Sequence, residues 1–342
     1  MATESGTEFR FGIDIYVASD DEDISVQHLR VRRIENLEKC RKLKKLSIIA
    51  SCVDEIKGLD ANTQLEELEL YQGLIREIRN ISHLTALRVL DLSFNNIKRI
   101  ENIESLVYLE KLYLSNNKIS VIEGLENLRN LRVLELGSNK IRSLDAPCLQ
   151  PLEQLEELWL GKNRIEDVGG DAFSQFHFPN LKQVSLQSNR LTEWNYLLFS
   201  QVAPNIENAY FGSNKLPDMT LEVLQAVNVN TMIELDISCN CLTQVPQFPR
   251  PLVRLEEIWL NDNQITTTES LTCLGRLFPN LRTIYIERNP VHKECPLDCR
   301  MTIMRSAPET LEQIDASRIP EHELRVIAES TAPGTVKPIL KH

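Results

Sequence analysis

The chain has 342 residues, 38 Lys and Arg against 49 Asp and Glu, and a formal charge of −11 at pH 7. That length suits one large domain or two ordinary ones, and the acidity argues against nonspecific nucleic-acid binding through phosphate contacts. No run of about 18 apolar residues is present to span a bilayer, and the opening MATESGTEFRFG has neither the basic nor the apolar stretch of a secretory signal. The expectation is a soluble intracellular protein with no nucleic-acid or membrane partner.

In chain order, residues 1–20 read as a flexible acidic lead-in, and a degenerate repeat starts at Asp21 with Ile24, Val26, Val31, Ile34 and Leu37 in register. Five copies of LxxLxLxxNxI follow from Leu43, Leu65, Leu87, Leu109 and Leu131, each 22 residues after the last. Six more begin at Leu155, Leu181, Ile206, Met232, Leu255 and Leu281, at intervals of 23 to 26 residues. The repeats therefore number about twelve and occupy 21–291. A short amphipathic helix with Leu311 and Ile314 forms an expected cap over 292–320, and 321–342 is a tail outside the repeat.

Counting from the first apolar residue of each copy, positions 4 and 6 fall on one side of a short strand and positions 3 and 5 on the other. Asparagine holds position 9 in nine copies, from Asn95 to Asn289, where its amide can satisfy backbone groups as the chain turns off the strand. Apolar residues three apart after it, such as Ile97, Ile100, Ile103 and Leu106, predict a tight helical return. The fold expected is an α/β leucine-rich-repeat solenoid, with a curved parallel β-sheet on the concave face and short 3-10 or α-helical segments on the convex face. Neighbouring turns must bury one another's leucines.

Positions 3, 5, 7 and 8 of the twelve copies form the expected exposed sheet face. Those 48 places hold eleven acids, four Lys or Arg and seven of the chain's 20 aromatics. Rings that point away from the core suit a protein interface, and the acids suit a basic partner. The candidate partner-binding residues are Asp91, Tyr113, Glu135, Glu157, Trp159, Tyr210, Asp236, Glu257, Trp259 and Tyr285, with Glu135, Glu157 and Trp159 in one local cluster and Asp236, Glu257, Trp259 and Tyr285 in another.

Catalysis is not expected. The six histidines are dispersed, and His83 and His177 fall on returns; no phosphate-cradling glycine loop or hydrolase motif is present. Eight cysteines, including Cys239, Cys241, Cys295 and Cys299, lack zinc-site spacing and read mostly as small buried hydrophobes, so neither a metal nor a cofactor is expected. Ser19 precedes DDED, a pattern for an acid-directed kinase, and Asn80 opens a glycosylation pattern that an intracellular chain would not use.

The uninterrupted 22-residue copies with isoleucine-rich returns, the ending NPVHKECPLDCRMTIMRSAPETLEQIDA and the row of acids and aromatics together resemble the leucine-rich-repeat regulatory subunits of protein phosphatase 1, over residues 24–318. The resemblance implies a non-catalytic subunit that binds the phosphatase catalytic subunit along the concave face. Asp91, Tyr113, Glu135, Trp159, Asp236, Glu257, Trp259 and Tyr285 match the family's acidic or aromatic character. It further implies a monomer before complex formation and a holding or targeting role for metal-deficient phosphatase. The resemblance also implies that a second inhibitory subunit can join and that the work lies in the nucleus and cytoplasm, in chromosome segregation.

Overall fold

The computed structural model describes residues 7–168, 176–320 and 322–323. Two compact units divide the chain, the first comprising Met1–Leu191 with Ser200–Asn205, the second Thr192–Phe199 with Ile206–His342. In the first unit eight strands lie in sequence order: β1 (Asp23–Gln27), β2 (Lys45–Ile49), β3 (Glu67–Glu69), β4 (Val89–Asp91), β5 (Lys111–Tyr113), β6 (Val133–Glu135), β7 (Glu157–Trp159) and β8 (Gln183–Ser185). Each pairs in parallel with the next, and equivalent positions stand opposite: Asp91 faces Tyr113, Tyr113 faces Glu135, and Glu135 faces Trp159.

The alternation is as the pattern demands. Leu68, Leu90, Leu112 and Leu134 at position 4 are fully buried, as are Leu92, Leu114 and Leu136 at position 6. Position 9 closes each turn. The Asn117 Nδ2 donates to Leu92 O at 3.0 Å, Leu114 O at 3.1 Å and Ser115 O at 3.2 Å, while its Oδ1 accepts from Ile97 N at 2.9 Å. Asn95, Asn139 and Asn163 repeat that set, so one side chain ties two successive turns where both run out of strand partners. The residue just before it is left-handed in every turn of the first unit, from His28 (φ 56°) to Ser188 (φ 55°), whatever its side chain.

The returns of the five 22-residue turns differ from expectation. They are extended, punctuated by tight turns such as Leu84 N to Ile81 O at 2.9 Å, and contain no helix. The reason lies at position 16, where Asn36, Gly58, Asn80, Asn102 and Gly124 all have positive φ, which interrupts a right-handed helix. Where it is Asn, the amide reaches the previous turn's carbonyl: Asn80 to Ile56 O at 2.8 Å, Asn102 to Ile78 O at 2.6 Å. Where it is Gly, the backbone fills that space, and a Cβ on Gly124 would stand 2.8 Å from Ile100 O. The first helical segment is the 3-10 turn Pro147–Leu149, in the first of the longer turns.

A charge ladder runs beside the strands. Position 2 reads Glu22, Lys44, Glu66, Arg88, Glu110, Arg132, Glu156 and Lys182, opposite in sign at each step. Ion pairs form at Lys44–Glu22 (2.6 Å), Arg88–Glu110 and Arg132–Glu156 (3.2 Å). Each is exposed and individually weak, but a slip of one turn would oppose like charges along the column.

The second unit carries β9 (Asn208–Tyr210), β10 (Glu234–Asp236), β11 (Glu257–Trp259) and β12 (Thr283–Tyr285), again parallel and in order. Its longer returns hold α1 (Leu221–Ala226), N-capped by Thr220, and a 3-10 segment Glu269–Cys273 running into α2 (Leu274–Leu277).

Residues 7–20, expected as a flexible lead-in, are anchored at Phe9 and Phe11: Phe11 is fully buried, Phe9 bridges Val31, and the Asn36 amide donates to Phe11 O at 2.8 Å. Residues 1–6 lie outside the described residues. At the other end α3 (Pro290–Glu294) and α4 (Pro296–Ser306) cover the last turn, with Cys299 and Ile303 fully buried. The chain then adds β13 (Gln313–Ile314), parallel to β12, and folds back as β14 (Ser317–Arg318), the one antiparallel pairing among the described strands. Asp315 at that hairpin accepts from Ile286 N (2.7 Å) and Glu287 N (2.9 Å), taking up donors that a further turn would otherwise satisfy. The tail expected at 321–342 lies outside the described residues except for 322–323, where Glu323 meets Arg300 at 3.0 Å.

Candidate partner-binding faces

Each unit has one sheet face turned away from its leucines, and position 5 is its central row. From β3 to β12 the strands are three residues long and end there, so position 7 begins the turn, and only β1 and β2 carry the strand through it. Ser93, Ser115 and Ser238 at position 7 are buried, and a Cβ on Gly212 would stand 2.7 Å from Asp236 Oδ2. The expected four-column face therefore narrows to positions 3 and 5, with position 8 at its rim. Two position-5 serines are also covered, Ser47 and Ser185 at 3% and 1% exposure.

In the first unit Asp91, Tyr113, Glu135 and Trp159 stand side by side, all half-buried, with Glu157 beside Trp159 on the same strand. The indole Nε1 donates to Glu157 Oε2 at 3.0 Å, which fixes the ring and leaves the second carboxylate oxygen for a partner. Nearer the start of the unit the acids are neutralised: Lys45 Nζ lies 2.8 Å from Glu67 and 3.6 Å from Glu69. Glu135 has no such cation; burial pushes its carboxyl above the usual range, and Asp91 and Glu157 add to this, against a hydrogen bond from Ser115. Asp91 is likewise pushed up by burial and by Glu69, although its Oδ1 accepts from Ser93 N at 2.8 Å. The Tyr113 hydroxyl is raised by burial and by Glu157, Glu135, Asp91 and Glu69. Burial is the first cause of all three shifts and neighbouring carboxylates add to each; an arriving cation would relieve that added part.

In the second unit the row is Tyr210, Asp236, Trp259 and Tyr285. Trp259 Nε1 donates to Glu257, and its ring lies 4.4 Å from that of Tyr285, tilted by 41°. Tyr210 donates to Glu234 Oε2 at 2.9 Å, and Gln313 Nε2 donates to the Tyr285 hydroxyl at 3.1 Å. Asp236 departs from the expectation of a free carboxylate. It is 8% exposed and accepts from Ser238 N (2.9 Å) and Ser238 Oγ (2.6 Å), so it secures its own strand end. Burial raises its carboxyl, and that of Glu234, which Glu257 and Asp236 also push up.

Glu234, one of the eleven acids that the sequence places on this face but not among the candidate contacts, and Gln313, which it does not place there, also belong to it. Glu234 had a signal, since position 3 precedes each ring by two residues; Gln313 had none, being in a cap strand without the repeat. At the rim, Arg288 forms a bidentate pair with Asp262, holding that carboxyl down at about 2. The face therefore presents rings and carboxylates but few free cations.

Among the described residues no group of three or more His, Cys, Asp and Glu is placed to hold a metal ion, and no helix is long and apolar enough to cross a membrane. The return histidines make single backbone contacts, His83 Nε2 with Leu59 O at 3.1 Å and His177 Nδ1 with Gln201 O at 3.3 Å. Cys40, Cys148 and Cys299 are buried as expected, burial pushing the latter two thiols up to about 11; the other five are less covered, and Cys295 is exposed.

Known proteins share this turn. A leucine-rich-repeat model matches residues 107–165 and another matches 83–98. The turn is a leucine-rich repeat. The chain is 21% identical to an internalin of Listeria monocytogenes, with a TM-score of 0.68 and 88% of each chain covered. It is 23% identical to a leucine-rich-repeat protein of Leptospira interrogans, with a TM-score of 0.73, covering 86% of this chain and 72% of that one. Such likeness establishes the fold alone. Among curated proteins it is 27% identical over 148 residues to the mouse leucine-rich repeats and immunoglobulin-like domains protein 2, matching 43% of this chain. It is 26% identical over 209 residues to zebrafish tubulin-specific chaperone E, matching 53% of this chain. It spans 13% and 40% of those relatives' lengths. The leucine-rich-repeat fold is typically a protein-interaction scaffold.

Proposed function

We propose that this chain is a non-catalytic regulatory scaffold that binds the catalytic subunit of protein phosphatase 1 through the open sheet faces of its two units. The observation that carries the reading is the repeated pairing of an indole with a carboxylate two residues earlier, Trp159 with Glu157 and Trp259 with Glu257, each on the side of the sheet away from the leucines. A half-buried ring held by its own acid loses little freedom on docking, and the spare carboxylate oxygen takes a Lys or Arg of the partner. The resemblance over residues 24–318 gives the partner its name. It also gives the proposed preference for a metal-deficient phosphatase, a second inhibitory subunit as a third component, and a nuclear and cytoplasmic setting.

The test is direct titration of the purified chain with phosphatase catalytic subunit in metal-loaded and metal-depleted forms. Tighter binding to the depleted form is expected. Equal affinities remove metal-state selection, and absence of binding to both removes the partner. A second reading, an adaptor for another intracellular assembly, takes its support from the similarity to tubulin-specific chaperone E. Tubulin in the same titration separates the two.

A further inference from the structure

The face is acidic, but one flank of the first unit is the reverse. Where the chain leaves the strand, position 10 reads Lys118, Lys140, Arg164 and Arg190 in four successive turns. Their backbones stack: Lys118 N, Lys140 N and Arg164 N each donate at 2.8 Å, and Arg190 N at 2.9 Å, to the position-11 carbonyl of the turn before. Arg142 at position 12 and Lys162 at position 8 of the same turns, and Lys98 at position 12 of the turn before them, are exposed beside that row. Across positions 8, 10 and 12 of the turns from Leu87 to Leu191 the sole acid is Glu166, which pairs with Arg190 at 3.1 Å.

Lys140, Arg142, Lys162 and Arg164 make no ion pair with a described carboxylate, in a chain of net charge −11. Position 2 is the contrast. There the same turns alternate in sign and neighbours cancel. At position 10 they repeat one sign at the spacing of adjacent strands, about 4.8 Å, which opposes stacking and calls for an outside anion.

We propose that this flank is a docking ridge for an extended acidic peptide segment, carrying carboxylates or phosphorylated side chains, on a partner distinct from the one that occupies the sheet face. The row from Lys118 to Arg190 covers three inter-turn steps, roughly 15 Å, which an extended peptide of about five residues matches. A nucleic acid fits less well: its continuous phosphate charge would meet the acids of the adjoining face and of the chain as a whole.

The experiment uses the full chain and a fluorescein-labelled peptide of about ten residues built from Asp, Glu and phosphoserine, with a single-stranded oligouridylate of the same length alongside. Fluorescence anisotropy should show the peptide bound more tightly than the oligonucleotide. A Lys118→Glu, Lys140→Glu, Arg164→Glu variant should lose at least about tenfold in peptide affinity, while Trp159→Ala leaves it unchanged. The neutral Lys118→Gln, Lys140→Gln, Arg164→Gln variant covers the case in which the reversed charges disturb folding, and should lose a smaller factor. A peptide that does not bind, tighter binding of the oligonucleotide, loss with Trp159→Ala, or unchanged affinity in a folded ridge variant would each overturn the proposal.

Discussion

The two units solve one problem in two ways. In the first, the five turns of 22 residues return without helices, held by Asn or Gly in the left-handed region at position 16 and by an alternating charge column at position 2, and only the longer turn from Leu131 admits the 3-10 segment Pro147–Leu149 among the described residues. In the second, turns of 23 to 26 residues spend their extra length on α1, α2 and a 3-10 segment, and the position-16 device is gone. What both retain is the strand, the left-handed residue at position 8 and the asparagine at position 9. The binding face is thus set by the part of the turn that does not vary, and return length is free to change behind it.

The sharpest way to break that common element is at the asparagine. Asn117→Ala strands the buried Ile97 N–H and removes one of the two bonds to each of the Leu92, Leu114 and Ser115 carbonyls, which keep Asn95 Nδ2, Asn139 Nδ2 and Phe94 N, and is expected to cost about 3 kcal/mol in denaturant unfolding. Asn263→Ala in the second unit should cost as much, because its bonds to Ile237 O, Leu260 O and Leu242 N reproduce the set. A small effect in one unit alone would mean that the two units close their turns by different means. Next is Trp259→Ala, expected to weaken partner binding by about 2 kcal/mol with folding retained, by calorimetric titration. Gly124→Ala tests the first unit's own device: with φ at 74° and a Cβ 2.8 Å from Ile100 O, it should lower stability by about 2 kcal/mol. Asn102→Gly keeps the backbone and loses one amide contact, so about 1 kcal/mol is expected.

The pH response is subtler and has opposite signs for the two quantities. Asp91, Glu135 and Glu234 have carboxyls raised by burial. The folded state therefore holds more protons than the unfolded one, so these groups lower stability as pH rises from the ordinary carboxylate value through the raised one. A basic partner needs the ionised form and pulls those values back down. Affinity should be full above the raised values and fall as pH drops through them; Asp91→Asn with Glu135→Gln should flatten both trends. The smallest effect belongs to the charge column, where Arg132→Glu is expected to cost about 0.5 kcal/mol.

Much of this was legible. A 22-residue period with leucines at positions 1, 4 and 6 leaves one way to stack the turns, and Asn95 through Asn289 announce the ladder by spacing alone. The left-handed residue at position 8 was not legible, because Phe94, Lys162 and Arg288 have no such preference; the bend off the strand imposes it, also at His28, Ala50 and Gln72, which no asparagine follows. Helical returns hold in the longer turns and fail in the 22-residue ones, because three-residue apolar spacing also suits an extended segment broken at Asn80, Asn102 or Gly124. On the face, strict alternation overreached by carrying the strand past position 5, which is why Ser93 and Ser115 were placed outside and are buried. Asp236 was read by charge alone, and its bonds to Ser238 depend on a turn that the pattern does not describe.

The most direct test is calorimetric titration of purified phosphatase catalytic subunit into the folded wild-type chain and into Trp159→Ala and Trp259→Ala. Measurable binding by wild type, weakened at least about tenfold by either replacement, is the predicted result. Wild-type affinity retained by both folded variants would contradict the account and move the contact off the open sheet faces.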